Sequence, residues 1–181
     1  MNAIRKEEIY TIDDIYALPD GERAELIDGK IYYMAPPGTI HQRISSYLHN
    51  NIYHYIKNNH GPYEIFAAPF AVFLNEDDTN YVEPDLSVIC DPHKITDKGC
   101  HGAPDWVIEI VSPGSRSMDY FTKLFKYRTA AVREYWIVNP MKKVVQTYVF
   151  EGEEDSNLFS FDDEIPVYIF NDLTIRIADF L

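Results

Sequence analysis

In the run Asp105-Trp-Val-Ile-Glu-Ile-Val111 a glutamate sits where a buried strand normally carries a hydrocarbon, and that misfit limits what the chain can become. Side chains alternate across a strand, so Trp106, Ile108 and Ile110 share one face while Val107, Glu109 and Val111 share the other. An ionised carboxylate between two valines is costly unless a partner replaces its lost water. A second run, Tyr81 to Ile89, carries Asp85 directly after Pro84, at the entrance to the apolar segment Leu86-Ser-Val-Ile89. Two acids on neighbouring strands can share a hard cation. Taken singly, Asp85 also suits a turn or a cap, and Glu109 a solvent-facing strand position.

The segment after Glu109 extends the pattern. Ser112-Pro-Gly-Ser115 ends the strand, and Asp119 to Ala130 reads as a helix with Asp119 and Lys123 one turn apart on one face, Tyr127 following on that face. Arg133 to Pro140 is a further strand closed by a turn. The order is strand with acid, strand with acid, helix with lysine, strand.

Elsewhere, Thr11-Ile-Asp-Asp14 opens a short helix as a capping box that uses aspartate as its acid. Asp28-Gly29, between Ala24–Ile27 and Lys30–Met34, is a hairpin signal, with Glu25 on its first strand. On the residues alone Glu25 suits an exposed strand position at least as well as a site. Thr39 caps a long amphipathic helix whose apolar stripe is Ile40, Ile44, Tyr47, Leu48, Ile52 and Tyr55, ending near Asn59-His60-Gly61-Pro62. His41 falls in its first turn, where a phosphate would bind, although a solvated histidine is the plainer reading. Ala67–Leu74 and Tyr81–Ile89 read as two strands joined by the acidic loop 75–80. Val144–Phe150 and Leu173–Ile177 read as antiparallel strands that extend the sheet or cover one end.

The chain's 181 residues, 46% of them hydrophobic, suit a single domain spanning residues 1–181. The N-terminus lacks a signal-like apolar segment and no run approaches a membrane span, so a cytoplasmic protein with no membrane association is expected. Cys90, His93, Cys100 and His101 are zinc-competent, but their spacing matches no standard finger, and free thiols with loop histidines are the expectation. A net charge of −13 opposes any nucleic-acid partner at long range. Part of the acidity lies in the last third, in 151–155 and 162–164, whereas Arg116, Lys123, Lys126, Arg128 and Arg133 form a candidate basic strip after Glu109.

Glu25-Leu-Ile-Asp-Gly-Lys30, His41, Glu83-Pro-Asp-Leu86, Ala103 to Pro113, Asp119 with Lys123, and Glu134-Tyr-Trp-Ile-Val138 together resemble the Uma-type restriction endonuclease family of the PD-(D/E)XK nuclease superfamily. The likeness runs from about Tyr10 to Pro140. It implies an α/β fold of the restriction-endonuclease-like kind, a mixed central sheet flanked by helices with additional antiparallel strands. It also implies a nuclease that uses Mg2+ or Mn2+ to hydrolyse phosphodiester bonds, most plausibly of DNA. Asp85, Glu109 and Lys123 would be catalytic, with Glu25, His41 and Asp119 accessory and with Asp85, Glu109 and the Ile110 carbonyl holding the ion. The superfamily places a lysine two residues after the second acid; here that residue is Val111, and Lys123 is the implied replacement, held by Asp119. Lys123→Ala is expected to leave folding nearly intact. A double-strand cut needs two sites, so a homodimer or a basic partner is expected. The alternatives are a catalytically inactive nuclease-fold module binding nucleic acid or protein, and a zinc-binding structural domain.

Overall fold

The glutamate-bearing run forms strand Trp106–Ile110, buried at every position, in the interior of the main sheet. The computed structural model describes residues 8–59, 61–75, 77–153 and 155–180. The expectations concerning the N-terminal segment 1–7, His60, and the acids Glu76 and Glu154 lie outside the described residues. In chain order the elements are α1 (Ile12–Tyr16), β1 (Ala24–Ile27), β2 (Lys30–Tyr33), α2 (Thr39–Asn59), β3 (Glu64–Ala67), β4 (Val72–Phe73), β5 (Leu86–Ile89), β6 (Ile95–Thr96), β7 (Gly99–His101) and β8 (Trp106–Ile110). There follow a π-helical turn (Met118–Lys123), α3 (Leu124–Thr129), β9 (Glu134–Asn139), β10 (Val144–Val149), β11 (Asp155–Ser160), β12 (Ile165–Pro166) and β13 (Thr174–Ile175).

The main sheet runs β11-β10-β9-β8-β5-β3. Strands β8 and β9 are parallel, with Trp106 opposite Glu134, and every other neighbouring pair is antiparallel. Parallel neighbours need a crossover, which the helical segment from Met118 to Thr129 supplies. The architecture is therefore the mixed sheet with flanking helices and added antiparallel strands that the sequence implied.

The alternation expected in β8 holds. Trp106, Ile108 and Ile110 pack with Ile44, Leu48, Ile52 and Ile56 of α2, and the Trp106 and Trp136 rings meet edge to face at 4.9 Å. Val107 and Val111 pack on the other face with Tyr127, Tyr135 and Ile137. Each fully buried aliphatic side chain contributes about 1.5–3 kcal/mol, so these two layers carry most of the stability. The buried stripe of α2 begins at Ile44 and takes in Ile56, whereas Ile40 is exposed.

Local signals also act as expected at two turns. Asp28 and Gly29 both have positive φ, which closes the β1–β2 hairpin with the twist its strands need. The Asp14 carboxylate accepts the Thr11 amide at 2.7 Å, as in a capping box.

Three expectations are corrected. Of Ala67–Leu74 only Ala67, the last residue of β3, lies in the main sheet, and Val72–Phe73 form β4, paired with β7 in a three-stranded sheet. Tyr81–Ile89 is also split: Tyr81 and Val82 bridge to Leu26 and Val72, and only Leu86–Ile89 joins the main sheet. Pro69 and Pro84 sit at the two breaks, where a residue without an N–H cannot continue a ladder. At the C-terminal end β10 extends the main sheet, but Leu173–Ile177 contributes only the two residues of β13, paired with β12. Strand β11 pairs with β10 and forms one edge of the main sheet.

Candidate active site

Burial of Glu109, 4% exposed, is answered by two donors on one oxygen. Lys123 Nζ lies 2.9 Å from Glu109 Oε1, and the Tyr127 hydroxyl donates to the same atom at 2.7 Å. Lys123 is equally buried and donates to Glu25 of β1 at 2.8 Å. Glu25 also accepts the Glu83 amide at 3.0 Å, while Glu83 takes the Tyr81 hydroxyl at 2.7 Å and Arg23 Nε at 3.0 Å. One ammonium thus joins the hairpin to the main sheet through two carboxylates.

The electrostatics follow from the geometry. Burial raises the Glu109 carboxyl above the ordinary glutamate range, against the pull of Lys123 and with the support of the negative charges of Asp85, Asp119 and Glu25. For Lys123 burial acts downward, but Glu109, Glu25 and Asp119 outweigh it and hold the ammonium well above the ordinary lysine range. Burial also raises the Asp119 carboxyl, with Lys123 opposing. The cluster holds more carboxylates than cations to balance them.

The helix after Glu109 begins as a π turn, a widened geometry frequent at functional sites. Asp119, Lys123 and Tyr127 all face inward, as their spacing implied. The expected grip of Asp119 on Lys123 is corrected: the Asp119 carboxylate accepts the Ser115 hydroxyl at 2.6 Å, and Lys123 bonds Glu25 and Glu109. Ser115 lies one turn before Asp119 and its carbonyl accepts the Asp119 amide at 3.0 Å, which brings the Ser115 hydroxyl to the carboxylate as the local donor. The burial of Lys123 between Glu25 and Glu109 argues against the expectation that Lys123→Ala spares folding, because removing this cation strands two buried carboxylates.

Asp85 ends the break before β5. Its Oδ2 accepts the Ile110 amide at 2.7 Å and lies 3.1 Å from His41 Nε2, so the start of α2, the end of β8 and the entrance of β5 converge there. Burial lowers His41, but the hydrogen bond and charge of Asp85, the charge of Asp119 and the Ile110 main chain together hold it above the ordinary histidine value. Its Nδ1 is buried without a partner among the described residues. Asp85 accepts the amide of Ile110, the residue next to Glu109, and its negative charge acts to raise the Glu109 carboxyl.

A divalent ion fits this donor set. Protein contacts fall on Oε1 of Glu109 and Oδ2 of Asp85, leaving the second oxygen of each as the available ligand. Among the described residues no group of three His, Cys, Asp or Glu side chains makes a ready cage. Magnesium is commonly held by one or two carboxylates, with water and substrate oxygens completing its shell. The zinc-competent insert is arranged differently: Cys100 is buried with its Sγ 3.4 Å from the Gly102 carbonyl, and His101 stacks on Phe73.

Comparison with known proteins bears on this site. A family model described as "Putative restriction endonuclease", Uma2, matches residues 12–178. The chain belongs to the Uma2 family. The fold is also that of a crystal structure of "a putative nuclease belonging to DUF820" from Anabaena variabilis, 23% identical, with a TM-score of 0.76 over 94% of this chain and 96% of that one. No curated protein matches the chain. Membership of the Uma2 family points to a restriction-endonuclease-like nuclease.

Several contributors to the cluster were not singled out for it from sequence. Tyr127 was placed on the Lys123 face but given no role, and Ser115 and Glu83 had no local signal. The basic strip is largely neutralised. Lys123 bonds Glu25 and Glu109, Lys126 bonds Asp28, and Arg133 bonds Asp105 and Glu151. No helix among the described residues is long and apolar enough to cross a membrane.

Proposed function

We propose that the chain is a divalent-metal-dependent endonuclease that hydrolyses phosphodiester bonds in DNA. The observation that carries this reading is the placement of Lys123 at 2.9 Å from Glu109, in the strand whose next residue, Ile110, donates its amide to Asp85. Asp85 and Glu109, with the Ile110 carbonyl beside them, would hold Mg2+ or Mn2+. The ion, when bound, supplies Lewis acidity and a water activated near neutral pH. Lys123, kept protonated by its carboxylates, contributes a fixed positive charge where the transition state gains negative charge. Its arrival from the helix supplies the cation that Val111 does not. His41 orients Asp85, Glu25 orients Lys123, and Asp119 adds to the negative potential that attracts the ion. A double-strand cut is assigned to a homodimer, which provides two sites.

The test is cleavage of supercoiled and single-stranded DNA with Mg2+ or Mn2+. The wild-type chain nicks or cuts, and Asp85→Asn and Glu109→Gln do not while keeping the native circular dichroism spectrum. Absence of cleavage on both substrates with both ions, or full activity in both variants, overturns the reading. The net charge of −13 favours one second reading, a nuclease-fold module that binds without cutting.

A further inference from the structure

We propose that the outer face of α2 is the surface along which the nucleic-acid backbone lies as it reaches Asp85; this rests on the nuclease reading above. The chain has 29 aspartates and glutamates, yet none falls between Gly29 and Tyr63, the segment that contains all 21 residues of α2. It is the longest stretch of the chain without an acid, so it does not itself add to the repulsion of phosphate.

The exposed side of α2 is also patterned. Arg43, Ser46, Asn50, Tyr53 and Lys57 recur at alternating spacings of three and four and are all exposed, so they form one stripe along the helix. At a rise of about 1.5 Å per residue, Arg43 and Lys57 stand about 21 Å apart. Among the described residues neither is paired with a carboxylate. Lys57 lies over the Tyr53 ring at 5.5 Å, and the His49 ring is parallel to that of Tyr53. Cations at the two ends, a hydroxyl and an amide between them and an exposed aromatic ring suit a sugar-phosphate backbone and its bases.

The stripe leads to the site. A trough of about 760 Å3 runs beside Arg43, Ser46 and Asn50, and a second of about 360 Å3 shares Gln42, Ser46 and Asn50 with it. The second trough is also lined by Asp85. A strand lying on α2 therefore passes, without crossing an acidic surface of that helix, to the carboxylate assigned to the ion. This places the binding surface on the opposite side of the sheet from α3 and its neutralised strip.

The experiment is fluorescence anisotropy with a labelled duplex and its single strand, in Mg2+ and in EDTA, over a salt series. Arg43→Glu/Lys57→Glu is expected to weaken binding by more than about tenfold and to flatten the slope of log affinity against log salt by roughly two. Lys142→Glu/Lys143→Glu, which reverses as many charges on the β9–β10 turn, is expected to change affinity less than about twofold. Arg43→Gln/Lys57→Gln gives a smaller loss in the same direction, and circular dichroism checks that each variant is folded. Equal losses in both reversals show a net-charge effect only and overturn the proposal, as does unchanged affinity in the α2 variants. A changed sedimentation coefficient without a change in DNA affinity marks the face as a contact between copies and also overturns it. If the α2 variants lose binding while the wild-type chain cuts nothing, the surface stands and hydrolysis falls. If the wild-type chain cuts and the α2 variants cut with unchanged KM, hydrolysis stands and the surface falls.

Discussion

Tyr127 donates its hydroxyl to the same Glu109 oxygen that holds the Lys123 ammonium, at 2.7 Å and with no exposure of the ring. Burial, reinforced by the charges of Glu109 and Glu25, keeps that phenol well above its ordinary pKa, so it remains a donor throughout the working range. Tyr127→Phe keeps the packing and removes one bond to a buried carboxylate. It should cost about 1–3 kcal/mol in urea denaturation. An unchanged midpoint and slope would show that Lys123 alone satisfies Glu109.

The two lysines of the helix should separate sharply. Lys123→Ala leaves Glu25 and Glu109 buried without their cation and should cost about 3–5 kcal/mol. Lys126→Ala removes a pair whose acid, Asp28, is largely exposed, and should cost at most about 1 kcal/mol. Thermal unfolding of the two variants side by side reads the difference; equal losses would contradict the burial of Lys123.

Glu134 predicts a pH effect away from the site. It is buried in β9, and burial lifts it to about 6 against the hydrogen bonds it accepts from Tyr168, Ile169 and Trp136. A carboxyl raised in the folded state binds its proton more tightly there than in the unfolded chain. Its stabilising contribution is therefore complete below about pH 4.5 and lost as pH rises through about 6, a change of about 2 kcal/mol. Glu134→Gln should flatten this part of the stability profile. Wild-type and variant curves that run parallel from pH 4 to 7 would remove Glu134 as the source.

The misfit of Glu109 was legible because alternation is a local rule: seven residues suffice to place it between Val107 and Val111. The partners of Lys123 were not legible in the same way. Asp119 lies four residues away and attracts a local reading, whereas Glu25 lies 98 residues away and meets Lys123 only after the hairpin has docked. The basic strip failed as an expectation for the same reason, since Asp28, Asp105 and Glu151 come from three separate elements. The hairpin at Asp28-Gly29 and the crossover from β8 to β9 were local and held. The long strands at Pro69 and Pro84 did not, because apolar composition outweighed the missing donor in the reading.

Glu134 also orders events in time. Its carboxylate is covered by the amides of Tyr168 and Ile169, made 34 and 35 residues later. During synthesis on a ribosome, β9 emerges from the exit tunnel well before those amides do, and in that interval the carboxylate has only the Trp136 indole of its own strand and water as donors. Strand β9 cannot settle into the sheet in its final form until the segment around residue 169 is free. The hydrogen bonding at the centre of the sheet is therefore completed late, by those two amides.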